Sequence, residues 1–425
     1  MSHECGKGGV SSGKRVAEFA GTEDPGLTKN TPAGLSWARE RTHCTCAFAY
    51  IEQAVDCHFH EAHPQYITKQ EPIWHATNRH PKDITTMTGP ERIKAVLRGE
   101  PADHLPIQPL VMVFAAKHAA VPFGAYCRDG RLMAEVQLKF AHDFNVDVLT
   151  TCSDPAREVV DIAGEGSVVW FDDQPPAIAE DNAALADKGR LETFRIPDLA
   201  KPGRMNDRIR AIDIMVKEAI GQKSICGWVE GPLALAAELR GINNIMTDFT
   251  DDPEFVLRLL EFTADVAIAY GKEQARHGVD TIAMSDAAAS LIGPRFYRQF
   301  LLPQQRRVLT ALRGYGVITR LHMCGQTDAL IADMKTLPVD IFELDFPVNL
   351  ARARETLGRD KAILGNVSTI SELMNGTPES VTASAERCHK TCGRYHVVGA
   401  GCEVSPKTPP ENLRALVKYG IDHTP

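Results

Sequence analysis

The sequence predicts an α/β protein: a (β/α)₈ barrel of the TIM type with an inserted hairpin, preceded by an extension expected to be disordered. Three observations lead there. From Gly89 onward, strand-like apolar runs alternate with long helical patterns, and such alternation builds parallel βαβ units. Eight strand-like runs fall within roughly 300 residues, a length suited to one closed barrel. No Gly-x-Gly-x-x-Gly follows the first run, which lowers the competing open, doubly wound sheet.

The elements follow in order. A short helix is expected over 91–98. The strands are expected at 107–113, 146–152, 224–230, 281–286, 317–324, 341–345, 362–367 and 396–402. Each is a short strand-like apolar run, the pattern of a buried parallel strand. Helical patterns lie between them, among others at 132–144, 207–220, 233–240, 253–277, 295–312, 380–392 and 409–419. Within 164–176, Val168-Val169-Trp170-Phe171 reads as a hairpin inserted after the second strand.

Two domains are expected: an extension over 1–83 and the barrel over 84–425. The first 83 residues hold seven of the 15 histidines and four of the 11 cysteines, without a helical or strand period. The Gly/Ser/Thr/Lys-rich stretch 6–34 reads as disordered. Cys44-Thr45-Cys46, Cys57-His58-Phe59-His60 and His63 could form a small metal module, but their spacing fits no familiar zinc template. A plain extension is the simpler reading. Met87 stands immediately before the regular pattern, so a misassigned start near it is a further expectation.

Composition narrows the function. A net charge of −8 with no basic stripe disfavours nucleic acid as a partner. No apolar run approaches the roughly 20 residues of a membrane-spanning helix, and no signal-peptide core is present. A cytoplasmic protein is therefore expected. An odd, scattered set of 11 cysteines does not read as a disulfide framework, so thiolates are available for metal.

The fifth expected strand ends Arg320-Leu321-His322-Met323-Cys324-Gly325. Residues two apart on a strand share a face, so His322 and Cys324 can reach one ion. Cys402 ends the eighth strand, and barrel active sites gather at such C-terminal ends. One imidazole and two thiolates suit zinc and leave a position open. Alone, a buried Cys is usually a small hydrophobe and a His a satisfied polar group. Neither reading accounts for three potential ligands at two strand ends.

Other rim residues keep two readings each. Glu230 could be the fourth metal ligand, a general base, an orienting partner or a salt bridge. Asp286 could contact substrate or cap the next helix, and Asp154 is equally ambiguous. Asn366 could read a substrate edge. Arg240 could clamp an anion or mark a helix end. Cys388 and Cys392, four apart on one helix, read as packing residues.

Several of these segments together resemble the uroporphyrinogen decarboxylase superfamily, over about four-fifths of the chain. They are Glu91-Arg92-Ile93, Leu97 through Asp103, and Ser285 through Pro303 with Pro294-Arg295-Phe296-Tyr297. His322-x-Cys324-Gly325 with Gly401-Cys402 resembles the zinc motif of its cobalamin-dependent methyltransferase branch. That branch includes methylcobamide:coenzyme M methyltransferases and the methyltransferases of O-demethylase systems. Asp154–Glu158, Pro175-Pro176 and Glu230 through Gly241 resemble it too. The decarboxylases carry an arginine-containing Arg-Gln-Ala-Gly-Arg segment near the first strand. Here 108–117 is largely apolar and has no arginine.

The resemblance implies a zinc enzyme moving a methyl group between a corrinoid and a small molecule. The corrinoid is expected on a separate protein, since no Asp-x-His-x-x-Gly motif is present. Tetrahydrofolate, a thiol, a methyl ether and a methylated amine or sulfur compound stay open as the other party. A homodimer is also left open. The alternatives are a tetrapyrrole decarboxylase, a non-catalytic corrinoid- or metal-binding partner and, less favoured for paired thiolates, a zinc hydrolase.

Overall fold

The structure is a computed structural model, and it describes residues 86–425. The metal-module reading of 44–63 and the expectation of disorder over 1–83 lie outside the described residues. Nine strands are described: β1 (Val148–Thr150), β2 (Val168–Val169), β3 (Ala177–Ile178), β4 (Ser224–Glu230), β5 (Thr281–Ser285), β6 (Ile318–Met323), β7 (Ile341–Leu344), β8 (Ala362–Leu364) and β9 (His396–Val397). Seven form one parallel sheet in the order β1-β4-β5-β6-β7-β8-β9. β2 and β3 form the inserted antiparallel hairpin.

The eighth barrel position is a single residue. Ile107 bridges Val398 in parallel, and its carbonyl accepts the amide of Asp147 beside β1. The expected strand 107–113 is thus corrected to one bridge. Pro106 and Pro109 flank it, and neither can donate to a ladder. Val113 already begins the helix Val113–His118. The expected helix 295–312 is also divided, into Gly293–Phe296, a five-residue π turn Tyr297–Leu301, and Leu302–Gly314. Pro303, with no amide hydrogen, sits at the start of the third piece.

Alternation along the strands sorts side chains into two cores. Ile225, Val229, Ile282, Met284, Leu321, Phe342 and Ile363 pack outward against the helices. Cys226, Trp228, Ala283, Ile341, Ala362, Leu364 and Val397 fill the barrel. Ile93 and Val96 belong to this inner cluster. The helix Gly89–Arg98 that carries them is fixed by a Thr88–Glu91 capping box. Parallel register then sets Glu230, Ser285, His322 and Glu343 side by side on four neighbouring strands. All four are buried.

Candidate metal centre

His322, Cys324 and Cys402 converge: one donor atom from each lies within 4.8 Å of the other two. His322 Nε2 is 3.1 Å from Cys324 Sγ and 3.7 Å from Cys402 Sγ. Tetrahedral zinc with bonds of about 2.3 Å to sulfur and about 2.0–2.1 Å to nitrogen separates donors by roughly 3.5–3.8 Å. The donor set and its spacing therefore fit one zinc ion.

Local backbone chemistry places each donor. Gly325 follows Cys324 at φ +79°, a left-handed conformation that glycine adopts without strain. Its amide donates to Asp345 Oδ2 at 2.6 Å. Gly401 precedes Cys402, and a Cβ there would lie 2.3 Å from the amide nitrogen of Phe346. Only a glycine lets the chain carrying Cys402 lie so close to the end of β7.

Behind His322 stands a feature that the sequence did not disclose. Its Nδ1 lies 3.2 Å from Glu343 Oε2, a charge contact without full hydrogen-bond alignment. Glu343 also accepts from Arg320 Nε at 2.8 Å and Nη2 at 2.5 Å. A carboxylate behind a ligating imidazole orients the ring and raises its basicity. Burial disfavours ionised Glu343, but the Arg320 guanidinium beside it holds its carboxyl below the usual range.

The three donors line a cavity of about 660 Å³, measured out to its open mouth. Leu110, Met112, Trp228 and Pro175 contribute apolar wall, and Asp154, Glu230, Glu238 and Glu403 contribute carboxyls. Glu230 accepts from the Trp228 indole at 3.0 Å and lies outside the three-donor cluster. Burial, and then Glu158, push its pKa well above the carboxylate range. Asp154 is held bidentately by Arg204 at 2.8 and 2.9 Å. Despite burial, that pair keeps it ionised.

The remaining sequence candidates are committed elsewhere. Asp286 is fully buried and absent from the cavity lining. It accepts from the Ala234 amide at 2.8 Å and from Gln305 at 2.9 Å. It thus caps Pro232–Arg240, the helix before it, rather than the one after. Arg240 donates to Asp248 at 2.8 Å and to the Leu185 carbonyl at 2.7 Å, away from the cavity. Asn366 donates to the carbonyls of Asp345 and Val348 and braces the loop after β7. Cys388 and Cys392 pack in the outer core.

Fold and site together define a parallel barrel with a buried set of one imidazole and two cysteine sulfurs opening on a cavity. The chain belongs to the uroporphyrinogen decarboxylase family: the model for Uroporphyrinogen decarboxylase (URO-D) matches residues 88–422. It is similar to the methylcobamide:CoM methyltransferase MtbA of Methanosarcina mazei, at 27% identity over 79% of this chain and 98% of that protein. A methylated-thiol–coenzyme M methyltransferase of the same organism is 29% identical over 79% of this chain and 89% of its own. The uroporphyrinogen decarboxylase of Nocardia farcinica is 27% identical over 69% of this chain and 83% of its own. A solved methyltransferase from Methanosarcina mazei shares the fold, with a TM-score of 0.72, at 22% identity over 79% of this chain and 99% of that one. Among the described residues, no helix is long and apolar enough to cross a membrane.

Proposed function

We propose that this protein is a zinc-dependent methyltransferase that moves a methyl group between a corrinoid, carried by a separate protein, and a small molecule bound in the cavity. The observation that carries the reading is the convergence of His322, Cys324 and Cys402 on one wall of that cavity. A zinc ion bound there supplies Lewis acidity, which lowers the pKa of a bound thiol or polarises a methoxy oxygen.

The chain's own residues do the rest. Two thiolates would offset the charge of a divalent ion, and together with the imidazole they would leave one position exchangeable. Glu343 and Arg320 fix the imidazole. Glu230, on the same cavity wall, is the group available, once ionised beside a bound cation, to fill the exchangeable position or to take a proton from the substrate. Leu110, Met112 and Pro175 limit water at the reacting atoms. Asp154, Asp286, Arg240 and Asn366 act as framework, through the contacts described above.

The decarboxylase reading draws support from the named decarboxylase relatives. Against it, no Lys or Arg lines the cavity among the described residues, whereas four carboxyl side chains do. A polycarboxylate would find no Lys or Arg on this wall to pair with. Metal analysis tests the zinc assignment. Wild type should carry about one zinc per chain, and Cys402→Ala much less. Near-stoichiometric zinc in that variant would remove Cys402 from the ligand set.

A further inference from the structure

Glu238 has no part in the chemistry above. It projects into the cavity from the last turns of Pro232–Arg240. It is 7% exposed, and no hydrogen bond or ion pair engages it among the described residues. Its carboxyl oxygens open on the cavity rather than lying sealed in the core, so a bound molecule can reach them.

Its surroundings say which ligand. The other carboxyls on the cavity wall are Asp154, Glu230 and Glu403. Three guanidiniums near this wall are already engaged: Arg204 pairs with Asp154, Arg157 lies 4.0 Å from Asp154 and 3.3 Å from Asp207, and Arg208 stands 3.6 Å from Glu158. Among the described residues, an anionic handle on a substrate would find no Lys or Arg on this wall, whereas a cationic handle would find Glu238, the wall carboxyl that nothing else engages.

We propose that Glu238 is the recognition residue for the small-molecule partner, and that this partner is a thiol bearing an ammonium group rather than a sulfonate. The inference rests on the methyl-transfer reading and deepens it. The thiol end meets His322, Cys324 and Cys402, and the ammonium end meets Glu238. In the step this serves, the thiol first loses its proton. A sulfur lone pair then forms the S–CH₃ bond, and the cobalt–carbon electron pair stays on cobalt. Methyl-cobalt(III) becomes cobalt(I), and the products are a methyl thioether and one proton. Burial, followed by the charges of Asp154 and Glu158, pushes the Glu238 carboxyl up to about 8. A cation beside it relieves that penalty. The partner would therefore differ from the coenzyme M that names the curated methyltransferase relatives.

Three two-carbon thiols test this, because they differ only in the handle: 2-aminoethanethiol, 2-mercaptoethanol and 2-mercaptoethanesulfonate. Calorimetric binding to the zinc-loaded full-length protein should favour the ammonium over the sulfonate by at least about tenfold. In Glu238→Gln that ratio should fall to near unity, while 2-mercaptoethanol binding stays unchanged. Equal or tighter binding of the sulfonate by wild type would overturn the inference, whatever the variant does. So would an ammonium preference that survives in a folded Glu238→Gln protein. Turnover with methylcobalamin separates this from the underlying reading. If the amine is preferred in binding but no thiol is methylated, recognition by Glu238 stands and methyl transfer fails. If the sulfonate is methylated best, methyl transfer stands and the inference fails.

Discussion

In the proposed zinc site, His322 would act as a ligand through the residues that hold it. Its second nitrogen faces Glu343, and Glu343 is fixed by Arg320, with all three side chains buried. Glu343→Gln keeps the shape and removes the charge. Zinc should bind about 10–100-fold more weakly in that variant, as measured by competition against a chromophoric chelator. Unchanged affinity would reduce Glu343 to a packing partner of Arg320. Glu238 makes a different prediction, in stability. Its native pKa of about 8 lies above its ordinary value of 4.5. Below the ordinary value, both native and unfolded states hold the proton. As pH rises toward 8, the unfolded chain ionises first, and native stability falls relative to a residue that cannot ionise. Glu238→Gln should therefore melt higher than wild type at pH 8, by at least roughly 2 °C, with a smaller gap at pH 5.5. A lower melting temperature at both pH values would mean that the carboxyl is already satisfied. The sequence disclosed the donors because His322-x-Cys324 is a local pattern. It did not disclose Glu343 or Glu238. The first needs the register between β6 and β7, and the second lies on a helix whose facing direction only packing decides.

At the scale of elements, two loops bring the candidate donors from distant parts of the chain to one point. Gly325 turns the chain just after β6, and Gly401 lets Cys402 lie against the end of β7. Gly401→Ala must push the two backbones apart. It should cost about 1–3 kcal/mol in urea unfolding and weaken zinc binding together with stability. A loss of stability with intact zinc affinity would mean that the loop moves without Cys402. Element types followed from apolar period, and the helix 253–277 emerged almost as expected, at Pro253–Arg276 with Asp252 as its cap. Strand ends did not follow, because apolar residues run on past the ladder into the cavity wall. Leu110 and Met112 read as strand and instead line the pocket. Asp286 is a similar case. A carboxylate at a strand end looks catalytic, but its oxygens face Ala234 and Gln305.

For the whole molecule, the barrel closes through Ile107, and the cavity opens at the C-terminal ends of its strands, where such folds keep their chemistry. The fold class was legible because alternating strands and helices leave few topologies for a parallel sheet. The one-residue closure was not, since only the prolines at 106 and 109 hinted that the first strand could not extend. What the cavity receives depends on its wall groups, and among the described residues these include four carboxyls and no Lys or Arg. The central claim is methyl transfer at a zinc site made by His322, Cys324 and Cys402. The most direct test follows the absorbance of methylcobalamin with the thiol series present, comparing zinc-loaded, chelator-stripped and zinc-restored protein. The account predicts thiol-dependent loss of the methyl-cobalt band with loaded protein, little change with stripped protein, and recovery on adding zinc back. Equal rates from stripped and loaded protein, or no demethylation with any thiol, would contradict it.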